Sequence, residues 1–155
     1  PIKRTTIEDL AAYKAKTSMP ISVDEYLVTP EDAQQIIDQK AADIFNIRVS
    51  KLGGIWRTWQ IAQMALQAGL KLQFGAQVGE TAILSAAARH LIATLEGVLF
   101  SEGSAGTLLL QEDISEESVA FGQKGMAPLL TGPGLGITIK EDTLEKYAKQ
   151  IIELQ

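Results

Sequence analysis

The sequence contains no cysteine. That absence removes disulfides, zinc–thiolate centres and thiol nucleophiles together, and it agrees with a reducing compartment. Histidine is nearly missing too. His90 is the only one, and it lies inside an alanine-rich stretch, where it reads as structural rather than catalytic. Basic charge is in deficit: 14 Lys and Arg face 19 Asp and Glu, giving a net charge of −5 and a pI near 4.9. Nucleic acids and anionic membranes reward basic patches, so neither is expected as a partner. Aromatic residues make up 6% of the chain. Trp56, Trp59 and Phe74 are too few and too apolar in context to form a base-stacking platform. Long hydrophobic runs are lacking. The most apolar stretch, residues 81–95, contains Arg89 and His90 and is too short to span a bilayer. Lys3 and Arg4 are followed by no apolar segment. A signal peptide is therefore not expected, and a cytoplasmic location is.

What is present is enough for one domain: 155 residues, 46% of them apolar. Residues 7–16 read as a helix with Thr6 as N-cap and an apolar stripe of Leu10, Ala11 and Tyr13. Met19-Pro20 breaks it. Ile21-Ser22-Val23 is a short strand that runs into Asp24 and Glu25. Thr29-Pro30-Glu31-Asp32 is a strong helix start, with a capping threonine, proline at the first helical position and acids in the first turn. A strand follows over residues 43–49, then a Gly53-Gly54 loop. The next helix carries Ile55, Trp59, Ala62, Ala65 and Leu66 on one face, and Gly69 suits its C-terminal end. Residues 70–74 read as a strand and residues 80–95 as a long helix. Leu108-Leu109-Leu110 is the candidate for a last strand, Gly132 to Gly136 is a turn, and Ile137-Thr138-Ile139 is a short extended piece. Residues 141–154 read as a terminal helix with Leu144, Tyr147, Ala148 and Ile151 on one side. Strand and helix thus alternate with short links, which implies an α/β fold with parallel strands and helical crossovers. The pattern alone does not separate an open doubly wound sheet from part of a closed barrel.

Chemistry in parallel α/β folds gathers at the C-terminal ends of strands. Asp24 and Glu25 stand at one such end, where carboxylates can take a hard cation such as Mg²⁺ or be merely solvated acids. Asn46, Arg48 and Ser50 share one face of the next strand, with Ile47 and Val49 on the other. An inward Arg48 needs partners, and Asp24 and Glu25 are the natural ones. The pairing could serve only to fix the rim, or the cation could hold an anionic substrate. Lys51 follows three residues later. Glu80 stands at a third strand end, where a first-turn acid also suits the helix dipole. Gly132-Pro133-Gly134-Leu135-Gly136 is not a phosphate cradle, because an extended segment rather than a helix follows it.

Three stretches resemble one family: Pro20-Ile21-Ser22-Val23-Asp24-Glu25, Thr29-Pro30-Glu31-Asp32-Ala33, and Ala42-Asp43-Ile44-Phe45-Asn46-Ile47-Arg48-Val49-Ser50-Lys51-Leu52-Gly53-Gly54-Ile55. They are similar to the fifth and sixth barrel strands of the mandelate racemase/muconate-lactonizing group of the enolase superfamily. Glu80-Thr81-Ala82-Ile83 with Ala86-Ala87-Ala88-Arg89-His90 resembles the seventh-strand motif and its helix. Gly132 to Gly136 resembles the closing segment. The resemblance implies a partial (β/α) barrel, a half-barrel of parallel strands alternating with helices plus a C-terminal helix, with residues 1–155 as a single domain. It also implies proton abstraction α to a carboxylate, with Mg²⁺ stabilising the enediolate, in a racemase, cycloisomerase or dehydratase. In the family, acids at the ends of the third, fourth and fifth strands bind the metal, and lysines at the ends of the second and sixth act as acid and base. Asp24 then corresponds to the third metal ligand, with Glu25 beside it. Arg48, Lys51 and Glu80 are the catalytic candidates.

Arg48 departs from the pattern Asn-Ile-Lys-x-x-Lys-x-Gly-Gly at its first lysine. A guanidinium stays protonated at ordinary pH and makes a poor base, though it can clamp a carboxylate. Pro1 resembles the position just after the fourth-strand ligand. The capping domain, the second-strand lysine and two metal ligands are therefore expected to be absent, and Mg²⁺ binding by this chain alone is expected to be weak or lacking. The expected activity is that of an enzyme fragment, inactive alone, whose partner would be a small carboxylate once an N-terminal half completes it. The alternative is a non-catalytic, stand-alone half-barrel. Either way, exposed strand edges and an uncovered inner face predict a homo-oligomer.

Overall fold

The computed structural model describes residues 6–150 and 152. The helix starts follow from their caps. Thr6 opens α1 (Ile7–Lys14), its hydroxyl accepting the Asp9 N–H at 3.1 Å. Thr29 opens α2 (Pro30–Asp38) with a reciprocal cap: Asp32 N–H donates to the Thr29 hydroxyl at 3.1 Å, and Thr29 N–H donates to the Asp32 carboxylate at 2.9 Å. The third helix, α3 (Ile55–Gln67), ends where Gly69 takes a φ of 79°. There Leu70 N–H reaches back to Ala65 C=O and Gly69 N–H to Leu66 C=O, closing the last turn. Helix α4 (Ala82–Thr94) has no cap from its own Thr81. Asp113 supplies one from a distance, accepting the Ala82 N–H at 3.0 Å.

Between the helices run β1 (Ser22–Val23), β2 (Ile44–Ile47), β3 (Lys71–Phe74) and β4 (Val98–Ser101). All pairings are parallel, and the sheet order is the chain order, β1-β2-β3-β4. Val23, Phe45, Ile47, Leu72 and Phe74 point to one face and are at most 2% exposed. Ile36, Ile61, Ala62, Ala65 and Leu91 of the helices join them in one core. Each large side chain buried there contributes about 1.5–3 kcal/mol. The opposite face carries Asn46 and Gln73, both only partly covered.

Beyond β4 regular structure thins out. A short helical turn, α5 (Gly106–Leu109), and a terminal helix, α6 (Glu141–Tyr147), flank an irregular stretch. Its one strand-like contact is a single antiparallel bridge between Ser115 and Ile139. Among the described residues no helix is long and apolar enough to cross a membrane.

The last strand is Val98–Ser101, not Leu108-Leu109-Leu110, which falls in α5 and its end. A three-leucine run has no period of its own, and Leu108 is 88% exposed, so no sheet claims it. The long fourth helix begins at Ala82 rather than Glu80, which leaves Glu80 in the preceding turn. The strand expected over residues 43–49 pairs only from Ile44 to Ile47, so Arg48 stands just past its end. The terminal helix stops at Tyr147, with Leu144 and Tyr147 both exposed. Ile151 and Leu154 lie outside the described residues.

A candidate active site at the strand ends

Parallel pairing of β1 with β2 sets Asp24 and Glu25 beside Arg48 at one end of the sheet. Arg48 Nη2 donates to Asp24 Oδ1 at 2.6 Å and to Glu25 Oε1 at 3.3 Å. Lys51 Nζ donates to the same Asp24 oxygen at 2.7 Å, to the Asp24 backbone carbonyl at 2.6 Å and to the Asn46 carbonyl at 3.0 Å. An ammonium has three N–H bonds, and those of Lys51 are all committed. The cluster grades from covered to open: the side chains of Lys51, Arg48, Asp24 and Glu25 are 11%, 18%, 29% and 65% exposed.

Charge within the cluster is balanced, two carboxylates against two cations. Burial works to raise the Asp24 carboxyl. The hydrogen bond and charge of Lys51, then those of Arg48, outweigh it and hold the carboxyl below its usual range. Burial draws the Lys51 amine down, with Asp24 pulling the other way. Lys51 and Asp24 form an ion pair, and all three Lys51 bonds are those of a donor.

Asn46 stands on the sheet face opposite the core, two residues before Arg48. Its amide oxygen and the Arg48 Nε are both buried without a hydrogen-bond partner among the described residues. Gly75, at the end of β3, makes their position possible. A Cβ there would lie 2.5 Å from the Asn46 amide oxygen and 3.0 Å from Arg48 Cγ, so any other residue would displace both.

Glu80 is not part of this cluster. It is 8% exposed, and its two oxygens accept from the Ser85 hydroxyl at 2.6 Å and from Gln77 N–H at 2.9 Å. His90 Nε2 lies 2.9 Å from the Leu135 carbonyl oxygen and ties α4 to the closing turn. The strand ends thus bring together Asp24, Glu25, Arg48 and Lys51, and hold Glu80 apart. Asp24 and Glu25 offer hard oxygen donors of the kind Mg²⁺ takes. Among the described residues no three of His, Asp and Glu converge as a metal-binding group.

A second polar centre escaped the sequence reading. Arg89 is 8% exposed; it donates from Nη2 to Val119 C=O at 2.6 Å and from Nη1 to Pro128 C=O at 3.3 Å, with the Phe121 ring 5.9 Å from its guanidinium carbon. Ser104 donates to the same Val119 carbonyl. The available signal was spacing: Ser85 and Arg89 lie four apart on an otherwise alanine-rich helix, a polar pair on a face destined for burial.

Residues 1–143 match the family model described as "Enolase C-terminal domain-like". N-succinyl-L-Arg/Lys racemase of Bacillus cereus is 34% identical over 94% of this chain and 38% of its own length. Muconate cycloisomerase 1 of Acinetobacter baylyi is 32% identical over 90% of this chain and 37% of its own. The solved structure of muconate lactonizing enzyme from Pseudomonas putida superposes with a TM-score of 0.85 at 31% identity, over 96% of this chain and 41% of that one. The chain therefore spans about two fifths of the length of the curated relatives it matches.

Proposed function

Since the chain belongs to the enolase C-terminal domain-like family, we propose that it supplies one side of an active site that removes the proton α to a carboxylate. Racemase, cycloisomerase and dehydratase outcomes all share that step. The observation that carries the reading is Asp24, set at the end of β1 and gripped by two cations from the end of β2 and the turn after it. In this reading residues 1–155 form one half-barrel domain, completed by strands and metal ligands outside this sequence.

Asp24 would hold Mg²⁺, with Glu25 beside it. Bound Mg²⁺ supplies positive charge opposite the oxygen anion that develops as the proton leaves. Two carboxylates fit part of that role, because Mg²⁺ commonly takes one or two and fills the rest with water and substrate oxygens. Arg48 clamps a substrate carboxylate; a guanidinium does not serve as the base. Lys51 fixes Asp24 in place, since every one of its N–H bonds is spent on the strand ends. Glu80 supports the third strand end through Ser85 and Gln77. The partner is a small carboxylate, and the relatives' names favour this enzyme reading over a non-catalytic half-barrel.

Calorimetric titration of the chain with Mg²⁺ tests it. Weak binding that disappears in Asp24→Asn is expected. Heat indifferent to Asp24 would count against the reading. Self-association belongs to the same proposal: among the described residues β1 and β4 each pair on one side, and Leu99 and Phe100 of β4 are exposed. Light scattering is expected to give a mass above the 16.7 kDa of one chain.

A further inference from the structure

One guanidinium nitrogen bridges two carboxylates. Arg48 Nη2 sits 2.6 Å from Asp24 Oδ1 and 3.3 Å from Glu25 Oε1, between acids contributed by adjacent residues. A cation shared by two such oxygens occupies the place a divalent ion would take if it used both. The second cation is tied down differently. Lys51 is anchored by two backbone carbonyls as well as by Asp24, so it cannot leave without exposing both. The side-chain hydrogen bonds of Arg48 go to carboxylates alone among the described residues. Its Nε, buried and unpartnered, loses nothing when the side chain swings away. Lys51 is the fixed counter-ion and Arg48 the displaceable one.

We infer that Arg48 acts as a built-in stand-in for the divalent cation, so that Mg²⁺ reaches Asp24 only by displacing the guanidinium. This rests on the proposal that Asp24 is a metal ligand. Asp24 Oδ1 already accepts from two cations, Arg48 at 2.6 Å and Lys51 at 2.7 Å, and a divalent ion brought to it would meet the repulsion of both. The chain with Arg48 in place is therefore a poor Mg²⁺ binder by construction. A displaced guanidinium is also the group then available to a substrate carboxylate, in the bidentate geometry it favours. Cation and anion binding are coupled through this one side chain.

The test is a calorimetric Mg²⁺ titration of the unaltered chain, Arg48→Met, Arg48→Lys, and the double variant Asp24→Asn with Arg48→Met. Methionine keeps the stem and removes the charge, and Lys51 still neutralises Asp24, so folding is retained; urea midpoints verify this. Arg48→Met is expected to bind Mg²⁺ roughly tenfold tighter or more than the unaltered chain. Arg48→Lys, which keeps the charge but loses the fork, should fall between, and the gain should vanish in the double variant. If Arg48→Met does not fold, Arg48→Lys decides by the same rule. Asp24-dependent binding that is no tighter without Arg48 overturns the inference and leaves the metal role of Asp24 standing. No Asp24-dependent binding in any variant overturns both.

Discussion

The residues up to β4 and those beyond it are stabilised by different physics. In the first region apolar side chains recur with the period of their element, and one continuous core collects them from Leu10 to Leu95. In the second, among the described residues, only Leu135, partly buried, packs against that core, and the buried Ile114 and Val119 lie outside it. Polar side chains hold this second region instead, each reaching a backbone group. Arg89 takes the carbonyls of Val119 and Pro128, His90 meets that of Leu135, Asp113 caps α4, and Glu117 accepts from Thr138. A periodic apolar face tolerates small errors of register and stays bound. A single-point latch does not, because one substitution removes the whole contact.

The widest difference should show in Phe74→Ala. Phe74 is fully buried on β3, and its truncation is expected to cost about 3–5 kcal/mol, lowering the urea midpoint of the whole domain. A midpoint shift below about 1 kcal/mol would mean that the first region lacks the continuous core assigned to it. Arg89→Met comes next, at roughly 2 kcal/mol for the lost charge-assisted bonds to the Val119 and Pro128 carbonyls, the first of which keeps Ser104. In that variant hydrogen exchange should accelerate across residues 113–139 while amides of β1 to β3 stay protected. Uniform acceleration would dissolve the distinction between the regions. The smallest effect concerns Asp24, a polar contact between side chains placed in the first region. Its carboxyl is held below the ordinary range. Its contribution is therefore complete above the unfolded value near 3.9 and fades as pH falls through the depressed folded value. Asp24→Asn should flatten the acid limb of the stability curve by less than about 1 kcal/mol, since the pair is partly solvated. An unchanged acid limb would show that the pair adds nothing to folding.

Much of the first region was legible because caps and periods are local. Thr29-Pro30-Glu31-Asp32 announces α2 through side chains that bond their own turn, and Gly69 marks the end of α3 by its conformation. The pairing of Arg48 with Asp24 and Glu25 was legible for a related reason: strand alternation and parallel order bring adjacent strand ends together. The reach of Lys51 to two backbone carbonyls was not legible, because it depends on the turn after β2. Neither was β4. Val98-Leu99-Phe100 is an edge strand without clean alternation, and Leu108-Leu109-Leu110 looked at least as good. Glu80 stood at a helix start by its charge, yet its own carboxylate binds Gln77 N–H and Ser85 and holds it in the turn before that helix. The latches of the second region join residues 21 to 45 positions apart, as with Glu117 to Thr138 and His90 to Leu135, and no local pattern reports such a bond.

The agreement of sheet order with chain order has a consequence in time. Among the described residues each strand after β1 pairs with the one synthesised just before it, so these pairings wait for no distant segment and each loop closed is short. The chain can therefore assemble as it leaves the ribosome, one strand–helix unit upon the last. The long-range latches close only when the final third has been made, and refolding is expected to show the sheet protected first and the carbonyl contacts of Arg89 last.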